Sequence, residues 1–337
     1  MHLPSLQPPE PDPRGMEIAA DPDVVWHYTD GAGLISILTG HCLWATSAAF
    51  LNDQAEIGLG VERLAKRFLE LTAGEDGDTD LAKFSAALDP RRPGGASPAN
   101  CFILSASRAW DSLAMWRLYG GSQESYAIGI DSTARLGVLG DGSPATDELL
   151  GASGVYLKRR PWEPVRYRQD DQAALVDTVF EGLPLQMREL KAAFNQLEDR
   201  PRSIGTLPEA TRRKVQDVLD DLEQAVLLIK HEGFADEREV RQAVVMLADR
   251  GNPEANALEA RLLRYRATGY GIAPYVCLTG GGSDDAVTDR ASHLPVRAIA
   301  ISPSPNGAAA EDSVSRLLAA NGYCDVPVIR SGIPFRG

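Results

Sequence analysis

Two carboxylates and a guanidinium alternate along Glu237-Arg238-Glu239-Val240-Arg241. In an extended segment Glu237, Glu239 and Arg241 share one face. Paired carboxylates beside a cation suit acid–base work. They also suit acceptance of a sugar hydroxyl, with stabilisation of positive charge on the adjacent anomeric carbon. The same alternation describes the charged outer face of a solvated strand. A second group is His27-Tyr28-Thr29, just after the apolar pair Val24-Val25. Buried polar groups need partners, and either neighbouring backbone or a ligand can supply them. A third is Ser105-Ala106-Ser107, followed by Trp110, Trp116 and Tyr119. Trp116 and Tyr119, three residues apart, share one helix face and could floor a flat aromatic ligand or simply pack.

Several other chemistries lack their residues. The chain has no Walker-type loop, no Gly-x-Gly-x-x-Gly in a strand-turn-helix setting, no His-Glu-x-x-His and no Gly-x-Ser-x-Gly elbow. Its four cysteines, Cys42, Cys101, Cys277 and Cys324, include no Cys-x-x-Cys. That argues against a structural zinc site or a disulfide scaffold and fits a reducing cytoplasm. The net charge of −13 disfavours broad contact with phosphate backbones. Two local basic stretches stand against that trend. Lys158-Arg159-Arg160 with Arg166 and Arg168 is the denser, and Arg261, Arg264 and Arg266 form a looser one. No apolar run is long enough to span a membrane.

The elements that must position these groups follow from pattern. Strands are expected at Val24–Tyr28, Cys101–Ser105, Tyr126–Ile130, Val155–Lys158 (beside the preceding one), Val240–Leu247, Tyr275–Leu278, Val296–Ile301 and Val326–Ile329. Short helices are expected over Gly33–Thr39, Leu81–Leu88 and Glu311–Ala320, and one capped by Asp111 runs through Tyr119. Asp53-Gln54-Ala55-Glu56 has the form of a capping box for a helix to about Leu71. Apolar residues at helical spacing predict long helices over Gln169–Leu197, with a break or kink at Pro184, and over Leu207–Lys230. The proline-rich residues 1–20 read as a disordered leader. Residues 21–337 then form one α+β domain with a helical insertion at about 169–233.

Together the motifs resemble a large bacterial family known mainly as a domain of unknown function. They are His27-Tyr28-Thr29, Leu34–Leu38, Leu43-Trp44-Ala45, Leu51-Asn52-Asp53-x-x-Glu56, Phe102–Ser107, Met115-Trp116-x-x-Tyr119-Gly120, Lys230 … Phe234-x-x-Glu237-x-Glu239-x-Arg241, and the closing Pro274-Tyr275, Leu294-Pro295-Val296 and Ser331–Arg336. Ser302-Pro303 stands where that family has Gly-Pro, and alanine is the middle residue of Ser105-Ala106-Ser107. More distantly the pattern resembles the ADP-ribosyltransferase superfamily, which implies a mixed split-sheet core. The resemblance implies NAD as substrate, held by His27, Tyr28, Thr29 and Arg241 with Ser105 beneath it. Trp116 or Tyr119 would stack on nicotinamide. Glu239 would grip the ribose hydroxyl and stabilise the oxocarbenium ion, and Glu237 would face a macromolecular acceptor, protein or nucleic acid. A toxin or phage-defence setting follows by analogy only. The alternatives are a nucleotide or nucleic-acid binding module without turnover, and a metal-free hydrolase using Glu237 and Glu239.

Overall fold

The computed structural model describes residues 13–50, 54–72, 100–119, 124–196, 208–269, 271–281 and 287–334. In chain order the first elements are helix α1 (Pro13–Ala20), strand β1 (Val24–Asp30), α2 (Gly31–Gly40), β2 (Cys42–Ser47), α3 (Gln54–Thr72), β3 (Cys101–Ser107), α4 (Leu113–Tyr119), β4 (Ser125–Asp131), β5 (Gly137–Leu139) and α5 (Asp147–Ala152). There follow β6 (Val155–Pro164), α6 (Gln169–Asn195), α7 (Glu209–Leu227), β7 (Glu239–Ala248), α8 (Pro253–Leu262), β8 (Leu263–Thr268), β9 (Gly271–Thr279), β10 (Val287–Thr288), β11 (Val296–Ile301), α9 (Ala308–Ala320) and β12 (Val328–Arg330). The 12 strands join one mixed sheet, so the class is α+β as the strand and helix pattern implies. Pairing is antiparallel except between β5 and β10 and between β11 and β12.

β3 is the branch point. β7 lines one of its edges from Cys101↔Val245 to Ser107↔Glu239. The other edge is shared. β2 holds its start through Thr46↔Ile103 and Ser47↔Phe102, and β1 touches its end at Trp26↔Ser107. β1 then continues along β4, and β2 along β9. A wedge therefore opens between β1 and β2 at the level of Ser105.

The two faces are covered differently. One carries the largest core cluster, in which Leu34 and Leu38 of α2 meet Leu104, Ile128, Val244 and Val276. On the other, Met115 and Trp116 of α4 lie over Trp26 and Tyr28, while Leu227 of α7 closes over Cys101 and Ala243. α3, α6 and α7 form a separate apolar packet around Phe68, Val176, Phe180, Val218 and Leu222.

Several expectations change in detail. The leader expected over residues 1–20 includes helix α1, whose Ile18 is buried beside Val24; residues 1–12 lie outside the described residues. So do Asp53 of the expected capping box and the helix expected at Leu81–Leu88. β6 pairs with β7 rather than beside β4, which is flanked by β1 and β11. α6 continues through Pro184 without a break. Asp111 does not cap α4. Ser112 Oγ accepts from Met115 N, while Asp111 binds the Trp116 indole and Ser331 Oγ. Among the described residues no helix is long and apolar enough to cross a membrane.

The basic stretches are partly neutralised. Lys158 pairs with Asp217 at 2.7 Å and Arg160 with Asp221 at 2.7 Å, both carboxylates coming from α7. Arg264 forks onto Asp141 at 2.8 and 2.9 Å, and Arg261 donates to the carbonyls of Asp141 and Ser143.

Candidate functional site

β1, β3 and β7 are consecutive neighbours in the sheet, and each sends a polar residue to the wedge. They are His27, Ser105 and Glu239, and all three line one cleft of about 630 Å³. That volume suits a small-molecule site. Tyr28, Thr29, Tyr119, Glu237 and Arg241 line it too, together with Trp44, Thr46, Lys230 and Arg266. Trp116 does not. It is 4% exposed, its indole N–H donates to Asp111 Oδ1 at 2.9 Å, and its ring meets Tyr28 edge-on at 4.6 Å. The Trp116 side chain is therefore core behind the cleft, and Tyr119 is the exposed partner of the pair.

His27 fills the gap between β1 and β3. Its Nδ1 lies 2.9 Å from the Ser105 carbonyl oxygen. A carbonyl only accepts, so the neutral ring carries its proton on Nδ1 and leaves Nε2 as an acceptor. Burial lowers the His27 pKa below the usual histidine value against the raising effect of the Ser105 carbonyl, and the Arg266 charge lowers it further. Burial likewise lowers that of His41, with a further lowering from His293, whose ring lies 4.4 Å away at a tilt of 43°. For a depressed histidine the unfolded chain takes up the proton first, so stability is present above the unfolded value and lost as pH falls below it. Unfolding free energy from urea titrations should therefore drop between about pH 7 and pH 5, starting near the ordinary histidine value of about 6.5. The drop should be shallower in His27→Gln. An identical slope in that variant would mean that His27 titrates freely.

Tyr28 has little left to offer a ligand. Its hydroxyl donates to the Ala109 carbonyl at 2.7 Å and accepts from Ser112 N at 3.3 Å. Thr29 packs on the first turn of α2, where a Cβ on Gly33 would fall 1.9 Å from Thr29 Oγ1, so a larger residue there would push the Thr29 hydroxyl aside. Tyr119 points the other way. Burial and the nearby charges of Glu237 and Glu239 raise its phenol to about 12. It stays protonated at neutral pH and can donate into the cleft.

The charged signature is a buried quartet. Arg241 forks onto Glu239 at 2.7 and 2.8 Å, and Lys230 Nζ reaches Glu239 at 3.1 Å and Glu237 at 2.8 Å. All four residues are no more than 5% exposed. Burial alone would raise the Glu239 carboxyl. Arg241, by charge and hydrogen bonds, with Lys230 and the Ser105 hydroxyl, instead pulls it down to about 2. Glu239 is thus a fixed anion at neutral pH and no general acid.

Glu237 does not continue the strand as its spacing with Glu239 suggests. It ends a 3-10 turn (Glu232–Glu237), and Arg238 follows at φ +44°, a left-handed conformation that costs a non-glycine residue about 1–2 kcal/mol. That kink swings Glu237 toward Lys230. Ser107 Oγ fixes it by donating to the Glu237 carbonyl at 2.6 Å.

The helical pair has a part in this. Lys230 N donates to the Arg166 carbonyl, and Arg166 N to that of Leu228. Gln172, in the first turn of α6, donates to the carbonyls of Arg166, Tyr167 and Lys230. The Tyr167 hydroxyl accepts from Glu239 N at 2.8 Å, and the Leu227 carbonyl at the end of α7 accepts from Arg241 Nη1 at 2.6 Å. α6 and α7 therefore buttress the ion quartet from behind.

Charge patterning alone gives no role to Lys230, Trp44, Thr46 or Arg266. The lysine lies beyond a helix end, where its carboxylate partners are set only by the later turn. Arg266 is visible in sequence as the last of a basic triplet. Among the described residues no group of three or more His, Cys, Asp or Glu could hold a metal ion.

Residues 115–242 match the model of a family described as a protein of unknown function, DUF2971. The uncharacterised family expected from the motifs is thus found over this part of the chain. The matched segment begins at Met115 in α4, includes the helical pair, and ends one residue past Arg241. The whole ion quartet lies inside it, and His27 and Ser105 lie outside. No curated protein and no solved structure matches the chain.

Proposed function

We propose that this chain is an ADP-ribosyltransferase-like enzyme with NAD as its substrate. One observation carries the proposal: His27, Ser105 and Glu239 stand on three adjacent strands and meet in one cleft at the split of the sheet. They occur there in the motif order that the resemblance implies. His27 Nε2 is an acceptor suited to a ribose hydroxyl, and the Tyr119 hydroxyl is a donor suited to the nicotinamide amide. The anionic Glu239 suits a developing oxocarbenium ion. The bond between nicotinamide and ribose C1′ breaks, and nicotinamide leaves with the bonding pair. A nucleophile on the macromolecular acceptor then bonds to C1′ and gives up its proton.

Glu239 sets a condition on this chemistry. A carboxylate has about four acceptor positions. Arg241 takes two, Lys230 a third, and the Ser105 hydroxyl the fourth. A ribose hydroxyl reaches Glu239 by displacing that of Ser105, the neutral member of the set. The hydrolase alternative loses Glu239 as its acid, because a carboxyl near 2 cannot deliver a proton at neutral pH. A nucleic-acid module is weakened by the pairing of its basic stretch with α7.

The test is direct. Purified protein incubated with NAD should release nicotinamide and transfer labelled ADP-ribose to a component of a cell extract, and NAD should raise its melting temperature. No release and no labelling would overturn the transferase, and the absence of a thermal shift would remove NAD as a ligand as well.

A further inference from the structure

The charges of the cleft are unevenly balanced. Lys230 and Arg241 are matched by Glu237 and Glu239. Asp30 caps α2 by accepting from Gly33 N at 2.7 Å. Arg266 is different. Among the described residues no carboxylate pairs with it, and its Nη2 donates instead to Thr46 Oγ1 at 2.8 Å. Its neighbour Arg264, on the same face of β8, is forked onto Asp141. An anion entering the cleft therefore finds its unmatched cation at Arg266, not at the quartet.

Beside that cation stands a flat surface. Trp44, on β2, is 39% exposed, although its strand neighbours Leu43 and Ala45 are fully buried. Tyr275 braces the ring from one side at 4.7 Å with an interplanar angle of 33°, and Arg266 lies over it at 5.8 Å. A fixed, solvent-reaching indole next to a guanidinium is what stacking on a base and pairing with its phosphate require. The bicyclic indole overlaps best with a bicyclic base.

We propose that Trp44 and Arg266 form a subsite for a purine nucleoside phosphate, Trp44 stacking on the base and Arg266, steadied by Thr46, pairing with the phosphate. The subsite rests on the nucleotide reading of the cleft but needs no turnover. The net charge of −13 fits a single small nucleotide here better than a polynucleotide.

The experiment is calorimetric titration of the full chain with adenosine, AMP and ADP-ribose at two salt concentrations, beside a separate NAD-cleavage assay. AMP and ADP-ribose should bind, and adenosine more weakly. Trp44→Ala should weaken AMP and ADP-ribose by about tenfold or more, with Trp44→Phe retaining most of the affinity. Arg266→Gln should remove the advantage of AMP over adenosine and its salt dependence. Both side chains lie at the rim of the cleft, and circular dichroism checks that the variants are folded. Unchanged AMP affinity in both folded variants overturns the subsite, as does failure of the unaltered protein to bind AMP or ADP-ribose at millimolar concentration. Nucleotide binding without NAD cleavage would keep the subsite and refute the transferase. NAD cleavage with an unchanged KM in Trp44→Ala would do the reverse.

Discussion

Glu239→Gln should lower nicotinamide release from NAD by roughly 100- to 1,000-fold, the loss typical when one charge-stabilising group is removed from a preorganised site. The affinity for NAD should change little, because His27, Tyr119 and the cleft walls remain. Glutamine keeps one acceptor for Arg241 but removes the negative charge, so Lys230 and Arg241 face Glu237 alone. Some stability is lost as well, and activity must be compared in protein shown to be folded at the assay temperature. Stopped assays of nicotinamide release, with NAD binding by calorimetry, separate the two effects. Activity equal to that of the unaltered protein would remove Glu239 from the catalytic role.

Lys230→Met is expected to have the largest effect on stability. It leaves Glu237 and Glu239 buried without the ammonium that joins them. Removing one partner from a buried ion pair costs about 3–5 kcal/mol, because the other charge stays behind unmatched. Urea unfolding at neutral pH should show that loss in the midpoint, with the slope unchanged. Adding Glu237→Gln to Lys230→Met should recover part of it, since the added change removes a carboxylate charge that Lys230 had matched. A loss under about 1 kcal/mol would mean that water reaches the quartet, where exposed pairs contribute little. The double variant then decides whether the coupling is between Lys230 and Glu237 or runs mainly to Glu239.

Much of the fold is legible in the sequence because its strands are short apolar runs and its helices keep a clear period. β3, β4, β7 and β11 fall within a residue or two of their expected bounds. What fails is pairing. Nothing local to Val155–Lys158 says that its partner is β7, ninety or so residues on, rather than β4. β8 was hidden because Arg264, Tyr265 and Arg266 break the apolar pattern of an ordinary strand. The candidate site divides in the same way. His27, Ser105 and Glu239 can be named from their residue types and order. Trp116 cannot be told from Tyr119 by helical spacing alone, because the difference lies in Tyr28 and Asp111 claiming the indole. The geometry of Glu237 depends on a left-handed turn at an arginine, which no propensity anticipates.

The branching of β3 bears on how the protein is made. Its partners β1, β2 and β7 are distant in the chain, and the quartet needs residues from beyond the helical pair. Contacts between distant segments form late, because long loops must close before any pairing rewards them. During synthesis the first two hundred residues can fold α2 and parts of the sheet, yet β3 lacks its longest partner. A chain halted before β7 holds His27, Ser105 and Lys230 but lacks Glu239 and Arg241. The ion quartet of the cleft is therefore completed only once β7 joins the sheet beside β3.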